Sequence, residues 1–336
     1  MNRKLTRVAG LLLVSAVATM ARFGYADKIE LPARAVTADS QIVVRIDATA
    51  ISADDLEKSK AAIVAMMGDL AKDAGPSKDD WQQMLDSRKS LTDTGVQQMV
   101  VIVGDLMQGP PKPIVTLKLK TGSDPAAVEK ALKDIDAANA KKAGTPPTMD
   151  KISVKTLDGD WVYIEGENLT TPPAAGDAAG LKTFTDALGK QEGAPIRLGI
   201  HLSDNTKVML ATQAAAPPEA NLPPFMKNIF TGLQTLDTAS AGLIPGDNVK
   251  FNLSGTCTSA DGAASLKKGT DGLVAVLSVA GLAGNQPPAQ AVTMKIMTTI
   301  LTLKQDGAGL SNSVDSNTLK DALKDLTTAP KPAPGQ

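Results

Sequence analysis

The sequence predicts an α+β protein built from repeated ferredoxin-like βαββα(β) units, whose mainly antiparallel sheets carry helices packed on one face. Short stretches alternate apolar and polar residues, which is typical of half-buried strands. The segments between them repeat apolar residues at three- and four-residue spacing, which is typical of amphipathic helices. The same order of strands and helices occurs at residues 40–140 and at 247–328. This recurrence suggests an internal repeat.

The first unit is predicted to open with a strand in which Val44 faces the core, while Arg45 and Asp47 lie on a solvated face. The residues before it, Asp27 to Ser40, are expected to form a polar lead-in. The elements expected next are a helix carrying Leu56 to Leu70, a break at Gly75-Pro76, a helix from Lys78 to Leu91, strands at 96–103 and 114–120, a helix capped by Asp124, and a closing strand at 152–156.

The middle unit is predicted to begin with a tight turn at Asp158-Gly159, which leads into a strand at 161–165. A helix carrying Phe184 is expected next. Strands at 196–202 and 207–212 then follow, joined by a turn, and a further helix and a short strand complete the unit.

The third unit is predicted from a strand at 249–258 that feeds a long helix. In that strand, Cys257 shares the apolar face, so we expect a buried thiol rather than a nucleophile. A hairpin turns at Asp306-Gly307, and Asp315 or Ser316 caps the last helix. No closing strand is apparent in this unit.

Residues 1–26 are expected to be a signal peptide for export to the periplasm or the extracellular space. The apolar run from Val8 to Ala21 has the length of a signal-peptide core and is short for a membrane span. Small residues at Gly24 and Ala26 predict cleavage after Ala26; cleavage after Ala21 and an uncleaved N-terminal anchor are the alternatives. The predicted segments are the signal peptide at 1–26, α+β units at 27–157, 158–246 and 247–328, and a disordered tail at 329–336.

Composition and charge exclude several classes of function. Without residues 1–26 the chain would carry 31 cationic residues against 36 anionic ones, and it has no basic block, so nucleic-acid binding is not expected. A single Cys cannot form an internal disulfide, and with a single His it cannot supply a Cys/His zinc site. His201 is expected to be solvated, and no cofactor or metal is predicted.

Three short motifs could indicate a serine hydrolase. Ser265 and Lys268 fit S-x-x-K, Ser203 begins an S-D-N, and Lys120 begins a K-T-G. Penicillin-binding proteins and serine β-lactamases carry these motifs in the opposite order along the chain, so we do not assign the protein to that family. A hydrolase using Ser265 and Lys268 is kept as a weak alternative.

Two aromatic residues form a possible ligand platform. Trp161 and Tyr163 lie two positions apart on one strand and therefore share one face. They could bind a small ligand or a peptide, or they could simply pack within their hairpin.

These observations favour a non-enzymatic interaction or scaffold module that acts outside the cytoplasm on a protein or peptide partner. The reasons are an export signal, recurring units and no assembled chemistry.

The first test concerns the N-terminus. In a bacterial host that exports the protein, we expect intact-mass measurement of the exported form to give a chain that begins at Asp27. An Ala26→Arg substitution should block processing because signal peptidase accepts small residues there, whereas Ala21→Arg should leave the Asp27 terminus unchanged. A mature chain that begins at Arg22 would contradict this prediction.

Overall fold

The computed structural model describes residues 29–67, 78–105, 111–215, 222–282 and 288–328. The predicted signal peptide, the break at Gly75-Pro76 and the predicted tail at 329–336 lie outside these residues. The chain divides into two compact units. Unit 1 comprises Met1–Leu56, Lys78–Thr206 and Thr238–Ile244, and unit 2 comprises Glu57–Ser77, Lys207–Asp237 and Pro245–Gln336.

Strands and helices are mixed along the chain, so the predicted α+β class is confirmed. The strands are β1 Ile42–Asp47, β2 Val96–Val103, β3 Ile114–Leu119, β4 Ser153–Thr156, β5 Trp161–Glu165, β6 Ile196–Ile200, β7 Leu236–Ile244, β8 Lys250–Cys257, β9 Lys304–Asp306 and β10 Gly309–Asp315. The helices are α1 Ala53–Met67, α2 Lys78–Asp93, α3 Pro125–Ala143, α4 Ala178–Gly189, α5 Asp204–Ala214, α6 Pro224–Gln234, α7 Ala260–Leu282, α8 Pro288–Ile300 and α9 Ser316–Thr328.

The sheet of unit 1 has the strand order β4-β5-β3-β2-β1-β6-β7, and each neighbouring pair is antiparallel. Helices cover both of its faces. On one face, Phe184 of α4 packs in a cluster with Val43 and Val100, and on the other, Val128 of α3 packs with Val115. The expectation of helices on one face only is therefore wrong for this unit.

Burial on both faces also changes the environment of β1. Arg45 and Asp47 were expected to be solvated, yet their exposed fractions are 3% and 8%. A strand that alternates apolar and polar residues normally has one wet face. Here the segment before β1 covers that face: Leu31, Ala35 and Val36 are buried in the core, so the prediction of a polar lead-in is also wrong.

The sheet of unit 2 has the order β8-β10-β9, again antiparallel at each pair. A split β-α-β unit contains two parallel strands with a third, antiparallel strand between them. In unit 2, β10 lies between β8 and β9 and antiparallel to both, so β8 and β9 are parallel as in such a unit, although two helices rather than one join them. In unit 1, β1 pairs directly with β2. The two regions thus share their element order but not their strand pairing, and the ferredoxin-like arrangement is not confirmed.

The segment 207–212 was predicted as a strand but lies in α5. Short apolar runs fit either structure, and here the residues before the run decide. The Oγ atom of Ser203 accepts a hydrogen bond from the backbone N–H of Thr206 at 3.3 Å, which satisfies a free amide of the first helical turn.

The prediction that Asp124 caps a helix is confirmed. Asp124 accepts a hydrogen bond from the N–H of Ala126 at 2.9 Å and caps α3, with Pro125 in the first turn of that helix.

Close contact between α6 and α7 organises unit 2. Glycines stand where the two backbones approach: a Cβ atom added to Gly232 would lie 2.5 Å from both the backbone N and the Cα of Leu266. A Cβ on Gly269 would lie 2.6 Å from the backbone N of Ile229. At such a distance one of the two helix backbones would have to shift, which costs stability, so these positions require glycine.

We therefore expect Gly232→Ala to destabilise the protein by about 1–3 kcal/mol or more, through overpacking between two helix backbones. Gly189→Ala is the matched control, because Gly189 is also helical and a Cβ there would meet nothing within 4 Å. The control should be neutral or stabilising by about 0.5–1 kcal/mol. Urea unfolding midpoints provide the measurement, and equal midpoints for the two variants would contradict the packing argument.

The cap of α9 also carries an ionisable group. One carboxylate oxygen of Asp315 accepts from the backbone N–H of Thr318 at 2.8 Å and from its hydroxyl at 2.7 Å. The other accepts from Nδ2 of Asn248 at 2.8 Å. These bonds, with the Asn248 bond the largest cause, lower the pKa of Asp315 to about 2. Of the two caps predicted for this helix, Asp315 is the one observed.

A lowered pKa means that the ionised carboxylate stabilises the fold above its unfolded pKa of about 3.9. This contribution is lost as the pH falls through about 2. We expect Asp315→Asn to reduce the loss of stability between pH 4 and pH 2, measured by urea unfolding at each pH. Asp321→Asn, on the same helix and paired with the exposed Lys324, is the control. A wild-type pH profile in the Asp315→Asn protein would refute the assignment.

Candidate functional site

A row of buried polar side chains crosses the centre of the unit 1 sheet, on the face that α4 covers. In the strand register, Asp47 of β1 stands opposite Gln98 of β2, and Arg45 of β1 stands opposite Arg197 of β6. All four are at most 8% exposed. Residues directly opposite in an antiparallel pair have neighbouring side chains, so two guanidinium groups share the interior of this sheet face.

Asp47 supplies a carboxylate to this row. Its Oδ2 atom accepts a hydrogen bond from Nη2 of Arg45 at 3.1 Å. Its Oδ1 atom accepts from the N–H of Thr49 at 3.1 Å, from the Thr49 hydroxyl at 2.7 Å and from the N–H of Ala50 at 3.1 Å. Asp47 therefore fixes the turn after β1 and neutralises one arginine at the same time.

Arg197 is held by backbone carbonyls near the end of α4. Its Nε atom donates to the carbonyl of Ala194 at 2.6 Å, and its Nη1 atom donates to that of Leu188 at 3.4 Å. The carbonyls at a helix C-terminus carry partial negative charge, which favours a cation there. The missing side chain of Gly199 gives α4 room, because a Cβ there would lie 3.2 Å from Phe184.

Arg45 is less completely satisfied. Its Nε and Nη1 atoms are buried and have no hydrogen-bond partner among the described residues. A buried donor without a partner costs about 1–3 kcal/mol, and more on a charged group. Arg45 is therefore one of the residues of unit 1, together with Gln41 and Arg88, in which a buried side-chain polar atom has no hydrogen-bond partner among the described residues.

Several side chains around the row make hydrogen bonds of their own. Nε2 of Gln98 donates to the carbonyl of Glu30 at 2.8 Å, and Gln191 donates to Ser240 at 2.9 Å. On α2, burial lowers the pKa of Arg88, whose guanidinium donates to the carbonyls of the turn that follows Asp47.

The predicted platform residues lie on the same sheet face, at its other end. Trp161 and Tyr163 are partly buried and pack against the cluster that contains Val43 and Phe184. The neighbouring strands place Lys118 opposite Trp161 and Lys155 opposite Tyr163. Much of each ring is thus engaged by the core, and a ligand role for the pair stays a prediction.

The residues of the three hydrolase motifs occupy different units. Ser265 and the exposed Lys268 lie on α7 in unit 2, whereas Ser203 and Lys120 belong to unit 1. The hydroxyl of Ser203 caps α5 and accepts from Nε2 of Gln41 at 2.9 Å. Ser203 was expected to lie in a turn between two strands, whereas the structure shows it at the start of a helix. A hydrolase using Ser265 and Lys268 stays a prediction.

The lone histidine and the lone cysteine both contact apolar surroundings. His201 is half-buried, and its ring meets that of Phe184 edge to face at a centroid distance of 6.4 Å. Cys257 is buried, as predicted, and burial raises the pKa of its thiol. A raised thiol pKa disfavours the thiolate, so the sulfur is not activated as a nucleophile.

Two searches within the described ranges are negative. No three His, Cys, Asp or Glu side chains there gather closely enough to hold a metal ion. None of the helices in that part of the chain has the length and apolar character needed to cross a bilayer.

Exposed apolar side chains are concentrated in unit 2. Six large hydrophobic side chains in the described part of the chain are more than 40% exposed, and all six belong to this unit. The most exposed are Val279 at 71% and Val208 at 65%. The six residues, here called the exposed apolar set, are Val64, Val208, Met209, Val276, Val279 and Met297.

The comparisons with known proteins add little. No protein-family model matches the sequence, and no curated protein matches it. A solved structure, crystal form III of TP0453, aligns with a TM-score of 0.32 and 9% identity, covering 89% of this chain and 100% of that chain. A TM-score this low supports no argument about function.

Sequence reasoning missed both the arginine pair and the exposed apolar set. Arg45 was assigned to solvent because it alternates with apolar residues, and only strand register shows that Arg197 stands opposite it. A signal for the apolar set was present: three valines, Val274, Val276 and Val279, occur within one helical stretch, although valine is a modest helix former that usually needs burial.

Proposed function

We propose that this is an exported, non-enzymatic interaction protein and that its second unit binds a protein partner through the exposed apolar set. The observation that carries the proposal is the confinement of these six side chains to unit 2. Exposed apolar surface on a folded domain costs solubility, so a group of such residues commonly marks a binding surface.

The exposed residues are not needed for the core of unit 2, because other residues of the same helices fill it. On α1, Met66 packs with Val292 of α8 and Leu323 of α9, while Val64 points to solvent. On α8, Ile296 packs against that cluster, while Met297 is 43% exposed. The fold therefore gains little from the apolar character of Val64 and Met297. A bound partner surface would gain from it, because it would bury these side chains.

Charge favours a protein over an anionic membrane as the partner. Unit 2 carries 13 lysines and no arginine against 12 Asp and Glu residues. On α7, Lys267 is already paired with Asp271 at 2.6 Å. Peripheral helices that bind anionic lipid usually present an excess of basic residues, and a nearly neutral surface lacks that attraction.

The finer predictions about organisation belong to the same proposal. An export signal would place the partner in the periplasm or outside the cell. The shared element order of 40–140 and 247–328 supports descent from one duplicated segment, even though the strand pairing differs between the two regions. Ligand binding at Trp161 and Tyr163 and hydrolysis at Ser265 stay the alternatives.

The test is site-specific photocross-linking in the producing cells. A photoreactive residue at position 279 should give a discrete protein adduct, which mass spectrometry identifies. A Val276→Lys substitution, one helical turn away, should weaken that adduct at least tenfold, because burying a lysine in an apolar contact costs on the order of 1.4 kcal/mol or more.

The matched control is a photoreactive residue at position 137, since Ala137 is an exposed residue of α3 in unit 1. It should not give the adduct, and an added Ala126→Lys change should leave cross-linking from position 279 unchanged. Equal adducts from both positions, or adducts to lipid alone, would reject the proposal.

A further inference from the structure

We infer that β4, the outermost strand of the unit 1 sheet, is a strand-addition surface for a second copy of this chain, and that the side chain of Glu129 keeps this surface closed. The inference is independent of the proposed interaction surface, which lies in unit 2. It depends on strand pairing, on one hydrogen bond between a helix and a strand, and on the charges along β4.

The first step is the position of β4 in its sheet. Its four residues, Ser153–Thr156, pair with β5 on one side, and within the described ranges no strand pairs with the other side. A strand in this position presents a row of backbone groups to which another chain can add. Proteins commonly protect such an edge with a charged side chain or a covering element.

The second step identifies which backbone groups of β4 face outward. The N–H of Leu157 donates to the carbonyl of Trp161 at 2.8 Å, so Leu157 directs its backbone groups toward β5. Because these directions alternate along an antiparallel strand, Lys155 does the same, whereas Val154 and Thr156 direct their N–H and carbonyl groups away from the sheet. A strand added to β4 must therefore bond to Val154 and Thr156.

The third step is the contact that occupies this edge. The Oε2 atom of Glu129, on α3, accepts a hydrogen bond from the N–H of Val154 at 3.0 Å. Its Oε1 atom accepts from Nζ of Lys133 at 2.7 Å. The Lys133 bond, followed by the Val154 bond, lowers the pKa of Glu129, so the carboxylate stays ionised and its bond to the edge is charge-assisted. An incoming strand would have to displace this carboxylate.

The fourth step concerns the occupant of the edge. Two copies of β4 can pair antiparallel about a two-fold axis, so that the same surface serves on both sides. An axis at Val154 places Val154 opposite its own copy and Lys155 opposite Ser153, and no like charges meet. An axis at Lys155 would place two lysines opposite each other, which is unfavourable. A second copy thus fits β4 in the first register, which needs the Val154 N–H that Glu129 holds.

The experiment compares the self-association of purified full-length variants by sedimentation equilibrium. We expect Glu129→Ala to raise the dimerisation constant roughly tenfold or more above that of the wild type, because the added strand no longer competes with a charge-assisted hydrogen bond. Glu129→Gln keeps an acceptor oxygen and should give a smaller rise. Asp134→Ala is the matched control, since Asp134 pairs with Lys130 on the same helix at 2.5 Å, and it should leave the constant unchanged.

Thr156→Pro, added to Glu129→Ala, should abolish the extra association, because proline removes the outward N–H at position 156 and leaves the bonds to β5 intact. Amide hydrogen exchange gives a second readout. In Glu129→Ala, the Val154 amide should exchange faster than in the wild type in dilute solution and more slowly as the protein concentration rises.

Glu129→Gln keeps the test valid if Glu129→Ala does not fold. The inference would be overturned by a dimerisation constant equal to that of the wild type, or by extra association that survives Thr156→Pro. A Val154 exchange rate that does not depend on protein concentration in Glu129→Ala would overturn it as well.

Discussion

The burial of the unit 1 sheet on both faces is the constraint on which much of this structure depends. β1 lies at the centre of that sheet, hydrogen-bonded to β2 on one side and to β6 on the other. Once α4 and residues 29–36 cover one face and α2 and α3 the other, every side chain of β1 must find its partners inside the protein. The Arg45–Asp47 pair and the turn fixed by Asp47 follow directly from that requirement.

Unit 2 obeys a different constraint. The glycines of α6 and α7 allow two helix backbones to approach more closely than any side chain would permit. The inner residues of α1, α8 and α9 complete a separate apolar cluster. With its interior filled in this way, the unit still carries apolar side chains on its outer helix surfaces. Unit 1 thus buries polar side chains in its interior, whereas unit 2 exposes apolar side chains on its surface.

Local chemistry accounts for the predictions that succeeded. The caps at Asp124 and Asp315 and the hairpin turn at Asp158-Gly159 depend on neighbours within a few residues, which the sequence shows directly. The failures have two different causes. The strand expected at 207–212 is a helix that a local signal, the Ser203 cap, begins. The solvated face expected for β1 failed for a non-local reason, because apolar periodicity does not encode the layer that covers that face.

The sequence by itself determined the α+β class, most strands and helices, and the caps that begin several helices, because side chain and backbone are neighbours along the chain in each case. Tertiary structure alone decided which strands pair, which faces are covered and where the two arginines meet. Strand register brings together residues such as Arg45 and Arg197, which are far apart in sequence, and alternation specifies the two faces of a strand but not what covers them.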